Sequence, residues 1–249
     1  MDTKAILGKV DHRPFPMPGG PWIMTQIWNT LLFAHWPLAP EILRPLVPSV
    51  LPLDTFDRQC WVGLTPFYMT HVRPRGFPPI PRLSQFPEMN VRTYVVVHGI
   101  PGVYFFSLDA GNPLAVALAR ALFHLPYYHA GMSCKRAGEI IHYRSWRAQL
   151  CARPAEFVAR YRPLPPVFSA QRGSLEYWLV ERYCLYTTLR DRVYRAHIHH
   201  RPWPLQAAEL ELERNTMALA SDIHLPATRP LLHYAHRQEV LVWPLQRVL

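Results

Sequence analysis

The hydrophobic positions of this chain fall mostly into short runs and alternations of strand type, and only rarely into helical spacing. The clearest alternation is Glu88-Met89-Asn90-Val91-Arg92-Thr93-Tyr94, where the period is two. Glu88, Asn90, Arg92 and Tyr94 share one face, and Met89, Val91, Val95 and Val97 share the other. Residues 22–33, 60–70 and 91–98 read as strands through their Val, Tyr, Phe and Trp content. The Gly99–Gly102 turn leads into a strand over 103–108 and so predicts a hairpin. Residues 132–136 and 139–146 flank Ala137-Gly138, a two-residue hairpin signal. A strand over 157–162 is expected to run into a proline-rich loop. Residues 183–188 and 193–199 pair around a 189–192 turn, and 231–243 close the chain with strand content.

Helical signals are few. Asn112 can accept from the free amides of a first turn, and Pro113 suits the first helical position. Leu114, Leu118 and Leu122 recur at helical spacing before the break at Leu125-Pro126. A short helix starts near Pro40, and Ser174 caps another with Glu176 in its first turn. Twenty-seven prolines punctuate the chain. Residues 71–87, HVRPRGFPPIPRLSQFP, form a proline-rich loop expected to act as a lid over one barrel mouth. These elements predict a single α+β domain over residues 1–249. Its core would be a mainly antiparallel, closed or half-closed β-barrel with two or three short helices. No internal repeat and no separating linker is apparent.

Composition changes this picture little. About half of the residues are hydrophobic, enough for a sizeable core. No apolar run reaches the roughly 18 residues of a membrane helix, and the N-terminus lacks a signal-peptide pattern, so a cytoplasmic protein is expected. Cys60, Cys134, Cys151 and Cys184 form no C-x-x-C pair, which predicts reduced, buried thiols. The net charge is +10, carried almost wholly by arginine, with lysine only at positions 4, 9 and 135. Arginines such as Arg73, Arg75, Arg82, Arg92 and Arg120 are scattered singly, without a basic cluster or stripe. Specific nucleic-acid binding is therefore not expected.

Several motifs, taken in order, resemble the acetoacetate decarboxylase family. NPLAVALARALFHLPYY (112–128) is similar to the helix that precedes that family's two active-site lysines. Gly20-Pro21-Trp22 looks like its first strand, ILRPLVPSVLPLD (42–54) like its helix and Val-Pro passage, and Gly99-Ile100-Pro101-Gly102 like a family turn, with Leu108-Asp109 following at the same distance. The resemblance implies that Tyr127 and Tyr128 stand where the lysines would, and that Glu88 falls on an active-site glutamate facing an internal cavity. The family's first-strand arginine has no match; Ile27 lies near its place. A closer resemblance, over nearly the whole chain, is to the YqjF-like family of uncharacterised bacterial proteins. Its blocks include FAHWPLAPEILRPLVP, FPEMNVRTYV, GVYFFSLDAGNPLAVALAR, ERYCLYT and IHHRPWPLQ. That family brings an architecture and no established reaction.

A phenol cannot form a Schiff base, so lysine chemistry is not expected at 127 and 128. Lys135 adjoins Arg136 but sits two residues from a turn, where side chains are usually solvated. If Glu88 faces a cavity, Asn90, Arg92 and Tyr94 face it too, and Glu88 and Arg92 are expected within reach of one another, partly compensating in charge. A carboxylate, a guanidinium and phenols suit a small keto or carboxylic acid. Tyr127 would act with Glu88 in catalysis; Arg92, Tyr94, Asn90 and Tyr128 would bind substrate, only one tyrosine of the pair pointing inward. His197 and His199 share a strand face, a spacing that some metal sites use, and His35, His233 and His236 are candidates to join them in space; no acidic or third ligand is fixed by sequence, so a structural role is expected. No metal, cofactor, G-x-S-x-G or phosphate-loop motif is found. Two classes follow: a lysine-independent lyase or hydratase type of enzyme on a small carbonyl or carboxylate, or a non-catalytic small-molecule-binding or structural protein. The ligand is expected to be an acid, and a homo-oligomer is compatible with the sequence.

Overall fold

A computed structural model describes every residue except Arg82 and Asp191. Arg82 among the scattered arginines, and Asp191 within the expected 189–192 turn, therefore lie outside the described residues. Helix α1 (Thr3–Leu7) precedes strand β1 (Met24–Leu38), and α2 (Pro40–Leu43) with a 3-10 turn (Arg44–Leu46) leads to β2 (Cys60–Pro74). β3 (Phe86–Val97) and β4 (Ile100–Ala110) form a hairpin before α3 (Pro113–Phe123). β5 (Tyr127–Ala137), β6 (Ile140–Arg147) and β7 (Glu156–Phe168) are followed by α4 (Leu175–Val180). β8 (Cys184–Leu189), β9 (Arg192–His199), β10 (Leu205–Asn215) and β11 (Leu231–Arg247) complete the chain, with a 3-10 turn (Leu219–Ser221) between the last two.

All strands join one 11-stranded sheet. Hydrogen bonding runs β1-β2-β3-β4-β8-β9-β11 and returns to β1, while β5, β6, β7 and β10 form a second path from β4 to β11. The sheet is mixed: β4 lies parallel to both β5 and β8, and the other pairings are antiparallel. The close approach of β4 and β8 depends on Gly102, where a β-carbon would fall 2.7 Å from Cys184 Sγ. Each path wraps its own core. Leu31 and Phe33 of β1 join Tyr94, Leu108 and Trp203 in one, while Leu32, Ala34 and Trp36 join Met89, Tyr143 and Phe157 in the other. That double burial explains why β1 reads as a nearly continuous apolar run.

The expected strands are all present, most of them longer than their composition suggested. α3 begins as the sequence predicts, with Asn112 Oδ1 accepting from the amides of Leu114 and Ala115; it ends at His124 in the left-handed region (φ 52°). Ser174 caps α4 by accepting from Tyr177 N. Gly138, at φ +63°, makes the β5–β6 turn. Four α-helices occur among the described residues rather than two or three, because the one-turn α1 adds to the expected helix at Pro40 and the two capped helices. The expected proline-rich loop after residue 162 is instead strand. β6 stops pairing with β7 at Tyr161, so Pro163, Pro165 and Pro166 have a free edge on which a missing N–H costs nothing. β10 went unrecognised, since LQAAELELERN reads as a charged surface segment. The cysteines are free, but Cys151 is exposed rather than buried. Among the described residues no helix is long and apolar enough to cross a membrane.

Candidate functional site

The core enclosed by β1–β4, β8, β9 and β11 contains a cavity of about 570 Å³. Its wall carries Glu88, Asn90 and Arg92, successive inward positions of β3, and Tyr127 from the first turn of β5. β3 is therefore amphipathic in an inverted sense. Its valine face packs into the surrounding core, and its polar face lines an internal space.

Glu88 is 3% exposed, and Tyr127 Oη donates to Glu88 Oε2 at 2.9 Å. Burial pushes the Glu88 carboxyl up to about 8; the Tyr127 bond offsets this in part, and the charge of nearby Asp109 adds to it. Burial, then the neighbouring carboxyl, likewise holds the Tyr127 phenol well above its ordinary range. Near neutral pH this end of the cavity holds two neutral groups sharing a hydrogen bond.

Arg92 departs from expectation. It lines the same cavity, but no ion pair with Glu88 forms among the described residues. Four residues of strand separate the two α-carbons by roughly 13 Å, and a register irregularity between Val91 and Arg92 intervenes. The Arg92 guanidinium lies instead over the rings of Phe33 (5.2 Å) and Tyr94 (5.9 Å), and its buried Nε has no hydrogen-bond partner within the protein. Arg182 adds a second cation to the wall. Its Nε donates to Trp178 O at 2.6 Å and its Nη1 to Asp54 Oδ2 at 2.6 Å, while Nη2 is buried without a partner. Thr65 Oγ1, Asn90 Oδ1 and His200 Nε2 also line the cavity buried and unpartnered.

Tyr94 and Tyr128, expected on the cavity wall, are elsewhere. Tyr94 is fully buried behind it, its Oη sharing a 2.7 Å hydrogen bond with His35 Nε2 and its ring lying 4.8 Å from that of Trp178. Burial, with the charges of Arg92, His233 and Arg182, keeps His35 well below the usual imidazole range. Tyr128 points to the opposite side of β5, where Arg147 covers its ring at 3.9 Å. There Arg147 makes a bidentate pair with the buried Asp109 (2.8 and 2.7 Å), beside a shallower cavity of about 450 Å³. No lysine is among the described residues lining the larger cavity, and Lys135 is exposed near the β5–β6 turn.

Of the histidines named from sequence, His199 holds the N-terminal segment, and His236 is exposed. His199 Nε2 bonds Ile6 O at 2.8 Å, Arg13 Nη1 reaches His199 Nδ1 at 3.1 Å, and His12 Nε2 bonds His200 O at 2.8 Å, tying the N-terminal segment to β9. No group of three or more His, Cys, Asp or Glu side chains among the described residues is placed to hold a metal ion. Sequence reasoning missed Arg182, Thr65 and His200 as wall residues. Arg182 sits in the short link between α4 and β8, where no periodicity assigns a face.

A ringed, mixed sheet around an internal carboxyl-bearing cavity defines a protein of acetoacetate decarboxylase-like fold. The solved structures bear this out at the level of fold. Acetoacetate decarboxylase from Legionella pneumophila superposes with a TM-score of 0.60 at 14% identity, covering 97% of this chain and 94% of that one. The enduracididine biosynthesis enzyme MppR complexed with pyruvate superposes with a TM-score of 0.61 at 9% identity, covering 94% and 93%. The chain belongs to the DUF2071 family, described as "Uncharacterized conserved protein (COG2071)", whose model matches residues 25–239. It is 52% identical over 239 residues to "Uncharacterized protein YqjF" of Bacillus subtilis (strain 168), covering 96% of this chain and 98% of that one.

Proposed function

We propose that this protein binds a carboxylic or keto acid in the internal cavity and moves a proton on it without a Schiff base. In this reading the ring of strands works as a barrel walling the cavity, within a single domain acting in the cytoplasm. The observation that carries the reading is Arg92, a cavity-lining guanidinium with no carboxylate partner among the described residues and a buried Nε without a hydrogen-bond partner. A partly desolvated cation without a counter-ion is costly unless an anion arrives from outside. Arg92 and the amide Nδ2 of Asn90, with Arg182 Nη2, would donate to the ligand's carboxylate. Glu88 would act as acid/base at the ligand's ketone or the carbon beside it, with Tyr127 orienting the Glu88 carboxyl through the hydrogen bond it donates. Fold analogy adds a little: MppR is complexed with pyruvate.

Deuterium exchange at the carbon next to the carbonyl of pyruvate and 2-oxobutanoate in D2O tests this directly. Proton abstraction needs the Glu88 carboxylate, so catalysed exchange should rise with pH through about 8 and vanish in Glu88→Gln. Arg92→Met should weaken acid binding at least tenfold while leaving the fold intact. Equal binding by Arg92→Met refutes the site. Binding without exchange at any pH favours the alternative, a non-catalytic binding protein.

A further inference from the structure

The cavity is too large, and its mouth too apolar, for a ligand as small as acetoacetate. Leu114, Leu118 and Leu122 of α3 are 49%, 52% and 63% exposed, and Phe77 and Ile80 of the facing loop are 64% and 55% exposed. All five line the cavity, so the apolar patch and the interior are one continuous surface. α3 turns Val116 and Phe123 into the core and leaves its leucine row open. Such a contiguous apolar surface marks a binding site. At about 30 Å³ per water-sized group, 570 Å³ holds on the order of fifteen to twenty such groups, against about seven heavy atoms in acetoacetate. Glu88, Asn90 and Arg92 sit on the β3 wall, and the lining on the α3 side is mostly hydrocarbon, with Gln26, Arg73, Ser84 and Asn112 as further polar residues of the wall.

We propose that the ligand is an amphipathic acid: its carboxylate at Arg92 and Asn90, its unbranched apolar tail of roughly eight to twelve carbons running out between α3 and the loop segment that carries Phe77 and Ile80. This rests on the acid-binding reading above and adds the tail. The tail would cover Leu114, Leu118, Leu122, Phe77 and Ile80 together, which accounts for their exposure without a protein partner.

Calorimetric titration with straight-chain acids from butanoate to dodecanoate, their 3-oxo counterparts and their methyl esters, below micellar concentrations, tests both parts. Each added CH2 should tighten binding about fourfold, equivalent to about 0.8 kcal/mol, until the cavity is full near decanoate. Methyl esters should bind at least tenfold more weakly. Leu118→Gln, at an exposed helical position, should weaken decanoate about tenfold and leave butanoate unchanged. Affinity independent of chain length overturns the tail while the acid-binding reading survives. Esters equal to acids at every length overturn that reading and the tail proposal together. Sedimentation of the same samples supplies a further refutation: a dimer that Leu118→Gln dissociates, with decanoate affinity unaltered, would mean that a second copy of this chain covers the mouth.

Discussion

Glu88→Gln tests the electrostatics of the cavity independently of any ligand. The substitution keeps the shape of the side chain and an oxygen that can accept from Tyr127 Oη, now 2.9 Å from Glu88 Oε2, but removes the ionisation. In the unfolded chain the carboxyl titrates near 4.5; in the folded protein burial raises this to about 8. Between those values the folded protein binds a proton that the unfolded chain has released, so the contribution of Glu88 to stability is full below 4.5 and is lost as pH rises through 8. The gap from 4.5 to about 8 corresponds, at about 1.4 kcal/mol per pH unit, to a penalty on the order of 4–5 kcal/mol for holding the carboxylate. Urea unfolding of both proteins at pH 5.5, 7 and 8 reads the difference, and all other titrating groups cancel in it. With the carboxyl neutral in both the folded and the unfolded chain, below pH 4.5, the variant would lie within about 1 kcal/mol of the parent, since one neutral hydrogen bond replaces another; at pH 5.5 the parent should already have lost about 1.4 kcal/mol of that footing. Between pH 5.5 and 8 the parent should lose roughly 3 kcal/mol more relative to the variant. Parallel stability profiles would mean that Glu88 ionises normally and is solvated in the folded protein.

Other perturbations follow from the same geometry. Burial lowers His197 and His199 to about 4 and His200 to about 3, so below pH 6.5 the unfolded chain binds more protons and stability falls with pH toward 4; thermal unfolding at pH 4.5, 5.5 and 6.5 should show the loss, by up to about 1.4 kcal/mol per histidine and pH unit. Gly102→Val places side-chain atoms on Cys184 and Tyr186 at the β4–β8 contact and should cost more than about 2 kcal/mol in urea unfolding. Asp109→Asn leaves Arg147, whose side chain is 3% exposed, uncompensated and should cost about 3–5 kcal/mol, whereas replacing both partners with leucine should cost less. Borohydride reduction in the presence of acetoacetate should leave the intact mass unchanged; an adduct mapped to Lys135 would refute lysine-independent chemistry.

What was legible in the sequence is what local physics determines. The Asn112-Pro113 cap and the Ser174 cap were readable because each satisfies its own first turn. The faces of β3 were readable because period two holds along it, and Glu88, Asn90 and Arg92 do share the cavity. The illegible parts depend on partners distant in sequence. Tyr94 keeps its face, but His35 and Trp178 pack over it and remove it from the wall. The strand through Pro163, Pro165 and Pro166 exists only because β6 ends opposite Tyr161. The leucine row of α3 has helical spacing that reads as a core face; the core took the other side, with Val116 and Phe123. No local pattern distinguishes a leucine row facing protein from one facing an open cavity.

A phenol rather than an amine at position 127 sets the electrostatics of this end of the cavity. A Schiff-base amine must be desolvated or set beside a cation, and a cation there would hold an adjacent carboxyl ionised. With a phenol at 127, no cation offsets the burial of Glu88, and its carboxyl keeps a proton up to about pH 8. Position 128 does not bear on the larger cavity, since Tyr128 stacks under Arg147 on the far side of β5. Unpaired positive charge lies instead at Arg92; Arg182, ion-paired with Asp54, adds a free Nη2, and the two guanidiniums flank the Tyr94 ring at 5.9 and 4.8 Å. The cavity thereby separates a cationic end from a neutral, proton-donating end. An acid entering it gains most with its carboxylate at the arginines, which leaves the atoms beyond that carboxylate to meet Glu88 and Tyr127. A neutral ligand of the same shape has no such preference, so the difference in affinity between an acid and its ester measures the polarity of the cavity itself.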